Sequence, residues 1–144
     1  WLMGKLNTSV ALSREYDLML QSGKPTLRIW DVLGNFDTFQ TATAIENGQW
    51  ESIACVYDPT ANVRYPNAFI YTNGILSFRE YTNDMTASYI GMTNTPCAFT
   101  VLADAAFGFG CVGQAADVFV RSNTMTAAEV RAWHLGRVAE YPHD

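Results

Sequence analysis

The amino-acid sequence predicts an all-β sandwich with one short helix near its C-terminal end, and three observations carry this prediction. Short segments rich in β-branched and aromatic residues recur about every 8–12 residues between turn-forming residues, as in two-sheet sandwiches. Asn73-Gly74 is the dipeptide best suited to a two-residue hairpin turn. Thr126 and Glu129 have the spacing of a helix capping box.

The predicted strands are, in chain order, residues 1–6, 15–20, 26–31, 41–45, 50–57, 67–72, 75–81, 88–92, 98–102, 106–110 and 115–121. Side chains in 16–20 and 27–30 alternate along the strand, so one face of each is expected to be core. Residues 50–56 are apolar on both faces after Ser52. This predicts a strand covered on both sides.

The turn and the helix are the most specific local signals. A type I′ turn requires positive φ at both central residues, which Asn73 and Gly74 tolerate, so strands 67–72 and 75–81 are expected to pair. The helix is expected to begin after Thr126, to stop at Gly136 and to pack Val130 and Trp133 against the sandwich.

Composition favours one packed domain over residues 1–144. Hydrophobic residues make up 49% of the chain and charged residues 16%. The net charge of −5 and the scattered basic residues argue against binding to nucleic acid, and no apolar run reaches the roughly 20 residues of a membrane span. Because the sequence begins at Trp1, inside a predicted strand, we expect it to be a piece of a longer product.

The three cysteines are too few for a disulfide scaffold. Cys55 lies in an apolar run and is interpreted as a buried packing residue. Cys97 and Cys111 flank an apolar stretch, and they form either a bond between neighbouring strands or two half-buried thiols. No cysteine or histidine spacing suggests zinc.

Three ordered segments carry a family resemblance: residues 48–58 (GQWESIACVYD), 68–74 (AFIYTNG) and 116–130 (ADVFVRSNTMTAAEV). Together they resemble the central strand, the hairpin and the closing strand with helix of laminin G-like domains in the concanavalin A-like superfamily. The resemblance implies a jelly-roll sandwich of two antiparallel sheets. A family strand normally precedes the position of Trp1, so the domain is expected to lack its first strand and to leave an edge that needs a partner.

The family resemblance would permit calcium as a cofactor. Calcium takes six to eight oxygen ligands. Two acids of the family motifs are replaced, by Asn73 and Ala116, which puts metal-dependent functions in doubt. The candidate calcium ligands are loop residues with carboxylate or amide oxygens: Asp58, Asp104 and Asp117, with Asn62 and Asn67.

The sequence predicts no enzyme. Glycoside hydrolysis needs two carboxyl groups flanking the scissile bond, and the nearest pattern, Glu15 and Asp17, is interpreted as a solvated strand face. For nucleophilic catalysis the imidazoles are His134 and His143, and no Gly-x-Ser-x-Gly elbow is present. His134 is interpreted as a partner of the helix dipole near the C-terminal end of the helix.

A saccharide site needs an aromatic platform beside planar hydrogen-bonding groups. The first candidate cluster is Arg28, Trp30 and Asp31, and the second is Tyr81, Asn83 and Asp84. The alternative is that Trp30 fills a groove between the sheets or lies under a loop. Trp50 and Trp133 are assigned to core packing.

Two functions are therefore carried forward. The first is lectin-like, non-catalytic recognition of a glycan or glycoprotein by a surface or secreted multidomain protein. The second is a structural domain that docks neighbouring subunits within an assembly such as a virion or tail decoration, an adhesin or a filament, suggested by the apolar sequence around residues 99–109. Both place the protein outside the cell or on a particle or cell surface.

Overall fold

The computed structural model describes residues 2–6, 14–58, 67–77, 79–83, 91–92, 94–102 and 113–138. These residues form mostly β-structure and one helix. The elements are β1 Met3–Leu6, β2 Arg14–Gln21, β3 Lys24–Trp30, β4 Phe36–Thr41, β5 Ile53–Asp58, β6 Asn67–Thr72, β7 Ile75–Leu76, β8 Arg79–Asn83, β9 Phe99–Val101 and α1 Ala127–Val138.

The strands form two antiparallel sheets. The larger sheet has the order β8-β4-β3-β2-β1-β9 and the smaller has the order β5-β6-β7. In the larger sheet β1 pairs with β2 on one side and with β9 on the other. The unpaired edge that was expected at the first strand is therefore occupied by β9.

The two sheets meet through a shared apolar cluster. Leu27, Ile29 and Phe39 of the larger sheet pack with Ala68 and Ile70 of β6. Leu27 and Ile29 are buried on the face predicted from the alternation in β3, which confirms that prediction. The sandwich core lies between these faces.

The smaller sheet is covered on both faces, as predicted for its apolar strand β5. Ile53 and Cys55 pack toward the cluster between the sheets, whereas Val56 packs with Tyr71 and with Val130 of the helix on the opposite side. The helix thus stabilises the sheet by removing its second apolar face from water.

The hairpin turn and the helix start also follow the sequence. Asn73 and Gly74 have φ angles of 52° and 71°, and β6 pairs with β7 across this two-residue turn. Thr126 Oγ1 accepts a hydrogen bond from the Glu129 amide at 3.2 Å, and Glu129 Oε2 accepts one from the Thr126 amide at 2.7 Å. This bond to the backbone, with a second from the Thr126 hydroxyl, lowers the pKa of Glu129.

Several predicted boundaries are wrong. The helix continues through Gly136 to Val138, where a stop was expected. The strand predicted at 75–81 divides, because β8 leaves the smaller sheet and pairs with β4. The strand predicted at 41–45 lies earlier, at Phe36–Thr41. Residues 106–110 and 88–90 lie outside the described residues, and Met92 forms an isolated bridge with Asp31.

Residues 115–121 were predicted to form a strand, and this is wrong. They have no regular structure, and Asp117 has a φ of +52°, a left-handed conformation that interrupts an extended strand. Phe119 instead packs edge-to-face on Trp133 of the helix, with ring centroids 5.5 Å apart.

Candidate functional site

The structure buries the first predicted saccharide cluster. Trp30 is 3% exposed, and the guanidinium carbon of Arg28 lies 4.9 Å from its ring centroid. Phe36 packs nearby, with a centroid separation of 5.7 Å. Within the described part of the chain the Trp30 indole nitrogen has no hydrogen-bond partner. The ring therefore does not offer an open platform to a sugar.

Arg28 is held by an acid on the neighbouring strand. Its guanidinium donates two hydrogen bonds to the carboxylate of Asp17, with an Nε to Oδ1 distance of 2.9 Å. Asp17 is fully buried. The pair satisfies both charges, as burial in a low-dielectric environment requires.

Glu15 and Asp17 do not form the solvated face predicted for them. Glu15 is also buried, and its carboxylate contacts Lys5 Nζ at 2.7 Å and accepts a hydrogen bond from the Thr95 amide. The hydrogen bond to Glu15 raises the pKa of Lys5. The polar face of the larger sheet is therefore built from paired charges.

Asp31 has a structural role at the end of β3. Its Oδ1 accepts hydrogen bonds from the amides of Leu33 and Asn35, both at 2.9 Å, and its Oδ2 accepts one from Asn35 Nδ2 at 3.0 Å. These bonds close the turn that leads to β4. The carboxylate is therefore engaged in holding this turn.

Two residues of the second predicted cluster lie in the larger sheet, like those of the first. Tyr81 and Asn83 lie in β8, opposite Phe39 and Thr38 of β4. Because Thr38 is also opposite Arg28, the backbones of Arg28 and Asn83 lie in one cross-strand row, two strands apart. Asp84 lies outside the described residues. Tyr81 and Asn83 are described by the position of their backbone in β8 alone.

The predicted calcium ligands are not gathered in the described structure. Asp58 ends β5 opposite Asn67, while Asp117 forms an ion pair with Arg137 at 3.5 Å. Asp104 and Asn62 lie outside the described residues. Within the ranges that the structure describes, no three acidic, imidazole or thiol side chains converge on a common point.

A cavity of about 850 Å³, within the size range of small-ligand sites, is lined by residues of both sheets and of α1. Its lining includes Leu27 and Ile29 of the larger sheet and Val56 on the helix side of the smaller sheet. The loop of residues 46–51, which we name the rim loop, lines its mouth together with the residues that precede α1.

The rim loop exposes a tryptophan that the sequence had assigned to the core. Trp50 is 38% exposed, and residues 46–49 beside it are all exposed. Glu46, Asn47 and Gln49 carry planar amide or carboxylate groups. The arrangement predicted at Trp30, an aromatic ring beside planar polar groups, is therefore present at Trp50.

Both ends of the rim loop are anchored. The Ile45 amide donates a hydrogen bond to the Gly23 carbonyl oxygen at 3.0 Å, and the Ser52 amide donates one to Asn73 Oδ1 at 3.1 Å. Gly48 turns the loop with a φ of +83°. These anchors limit the conformational freedom that a ligand would otherwise have to remove.

Ser52 and His134 meet at the cavity wall. The distance from Ser52 Oγ to His134 Nδ1 is 2.8 Å, and both residues line the cavity. Asn73 fixes this point from the turn, because its amide donates to the Ser52 carbonyl oxygen at 2.9 Å and its Nδ2 donates to Glu51. The expected role of His134, facing the helix dipole, did not include this contact. Ser52 and His134 are 82 positions apart in the sequence, so no local motif predicts their contact.

Cys55 also faces the space between the sheets. Burial raises the pKa of its thiol to about 12, so the reactive thiolate is scarce at neutral pH. This agrees with its interpretation as an inert packing residue. Cys111 lies outside the described residues, and the proposed bond from Cys97 therefore stays a prediction.

None of the helical structure described is long and apolar enough to cross a membrane. Comparison of the chain with models of known protein families, with curated proteins and with solved structures gives no match.

Proposed function

We propose that this protein recognises a saccharide at the rim loop, with Trp50 as the stacking platform. The observation that carries the proposal is the exposed Trp50 ring beside three planar polar side chains on a loop anchored at both ends. A sugar offers an apolar face to an aromatic ring and hydroxyl groups to amides and carboxylates. Asn47 and Gln49 would supply the hydrogen bonds that choose between sugars.

The resemblance to laminin G-like domains supports this reading. Two antiparallel sheets and a capped C-terminal helix agree with that family at the level of architecture. We infer a jelly-roll domain of this type, carried by a surface or secreted protein, with a glycan or glycoprotein as its partner. A crystal structure of the whole domain would test the strand order on which the jelly-roll assignment depends.

Glycan-array screening followed by calorimetric titration tests recognition directly. Trp50→Ala is expected to weaken binding about 5- to 150-fold, if a sugar face gains the same stacking energy as a nucleobase on an aromatic ring, about 1–3 kcal/mol. Trp50→Phe should retain part of the affinity. Leu33→Ala is the matched control, since Leu33 is 65% exposed and does not line the cavity. The proposal fails if no glycan binds, or if Trp50→Ala binds as tightly as the native protein.

A second candidate function is docking within an assembly, favoured by the exposed apolar run Val118, Phe119 and Val120. Large apolar residues exposed in succession are typical of contact surfaces. Sedimentation over a wide range of protein concentration should then show self-association that Val120→Asp reduces. A monomer at every concentration would leave saccharide recognition as the proposal.

A further inference from the structure

We propose that Ser52 and His134 form a nucleophile–base pair that hydrolyses an ester bound in the cavity that both residues line. The starting observation is the contact of 2.8 Å between Ser52 Oγ and His134 Nδ1. This lies within the range at which an imidazole can remove the proton of a serine hydroxyl.

The structure holds both partners in place. Ser52 is fixed through its amide and its carbonyl oxygen, which bond to the side chain and the backbone of Asn73. His134 lies against Gly74, where a Cβ atom would come within 2.9 Å of the His134 Cβ and 3.0 Å of its ring. A residue without a side chain at position 74 leaves the imidazole room to reach Ser52. Orientation of this kind is a large part of what an enzyme contributes to a reaction.

The position of Ser52 indicates the substrate class. Ser52 follows the polar rim loop and precedes the apolar strand β5, and both segments line the cavity beside it. An ester with its apolar acyl group against Ala54 and Trp133 and its polar alcohol part at the rim loop would place its carbonyl carbon near Ser52. If the rim loop binds a sugar, the substrate is an acylated saccharide; only this last identification rests on the proposed function.

The reaction proceeds by acyl transfer in two steps. The Ser52 oxygen bonds to the ester carbonyl carbon while its proton passes to His134 Nδ1, and the alcohol leaves when its bond to that carbon breaks and the imidazolium returns the proton. Water then attacks the acyl-serine and gives a proton to His134. The carboxylic acid departs, and Ser52 regains its hydrogen.

The test uses p-nitrophenyl esters of short to medium acyl chains as probes. These contain no sugar, so the outcome is independent of saccharide recognition, which glycan titration tests separately. Release of p-nitrophenol by the native protein is expected to fall about 100-fold in Ser52→Ala and in His134→Gln. Ser22→Gly is the matched control, because it removes the hydroxyl of an exposed serine that does not line the cavity and it tolerates the positive φ at this position.

A covalent readout separates catalysis from a purely structural role of this hydrogen bond. Mass spectrometry of the native protein quenched during turnover should place one acyl group on Ser52, and Ser52→Cys should form the corresponding thioester. Thermal melting of each variant checks that it is folded. The proposal is overturned if Ser52 carries no acyl group, or if folded Ser52→Ala releases p-nitrophenol as fast as the native protein.

Discussion

The side chain of Asn73 offers a sharp test of how the rim loop and the helix are held together. Its Oδ1 accepts a hydrogen bond from the Ser52 amide, while its Nδ2 donates one to the Glu51 carboxylate. Asn73→Asp preserves the first bond and tolerates the positive φ of the turn. It replaces the second bond with two facing carboxylates. The substitution therefore isolates the contact with Glu51.

The magnitude follows from that contact. A hydrogen bond to a charged group contributes about 1.5–3 kcal/mol, and we take the lower end because both side chains are half-buried. Repulsion between the two carboxylates adds about 1 kcal/mol in a water-like medium. We expect Asn73→Asp to lower the free energy of unfolding by about 2–3 kcal/mol at pH 7. For a chain of this length, this corresponds to a fall in Tm of roughly 6–9 °C.

The pH dependence has a definite sign. The neighbouring Glu51 charge raises the pKa of the introduced carboxyl in the folded state above its unfolded value. In the acidic range the folded state of Asn73→Asp then binds more protons than its unfolded state. The loss of stability relative to the native protein is therefore complete at pH 7 and becomes smaller as the pH falls through the raised pKa. Urea titrations of the native protein and the variant at pH 7 and pH 4 measure this difference.

A double substitution supplies the control. Glu51→Gln combined with Asn73→Asp exchanges donor and acceptor, because the glutamine amide can donate to the introduced carboxylate. This double variant should regain most of the lost stability, whereas Glu51→Gln alone should cost about 1 kcal/mol or less. The reasoning is refuted if Asn73→Asp has the same urea midpoint of unfolding as the native protein, or if the double variant is no more stable than Asn73→Asp.

Three further predictions concern the helix contact, the core thiol and the helix cap. Gly74→Ala should destabilise the fold by about 1–3 kcal/mol more than Gly48→Ala, because both glycines have positive φ but only the former would collide with His134; equal urea midpoints would contradict this. Cys55, with its pKa of about 12, should react with iodoacetamide at pH 8 far more slowly in the native than in the unfolded protein, as peptide mass spectrometry would show. Thr126→Ala should cost about 1 kcal/mol in urea unfolding through loss of the cap.

Local signals were sufficient for the parts of the fold that depend on local physics. The turn at Asn73 and Gly74 was predictable because few residue pairs tolerate two positive φ angles. The helix start was predictable because a capping box satisfies amide donors within four residues. The end of the helix was not predictable in this way. A glycine ends a helix when it adopts the left-handed conformation itself, whereas Gly136 keeps a helical one.

Strand assignment failed where a segment had strand-like composition but an interrupted backbone. Residues 115–121 contain Val118, Phe119 and Val120, which favour strands. Asp117 nevertheless turns out of the extended region, and Phe119 packs on Trp133 of the helix. Composition records a preference for a pleated surface, whereas pairing depends on a partner strand that is distant in sequence.

The candidate site was displaced for a related reason. Alternation along a strand tells which residues share a face, and it correctly set Arg28 and Trp30 opposite the core residues Leu27 and Ile29. It does not tell whether the opposite face meets water. In this protein that face is buried and its charges are paired, so Trp30 became a packing residue.

The exposure of Trp50 is explained by its place just before the sheet begins. β5 starts at Ile53, so Trp50 lies outside the paired strand in which Val56 is buried. Hydrogen bonds at both ends of the loop restrain its backbone while Trp50 stays exposed, a combination that no periodic pattern encodes. Ser52, which lies between this loop and the strand, can therefore contact His134 and the cavity at once. Ligand recognition and any chemistry on the ligand would then depend on the same few residues at the start of β5.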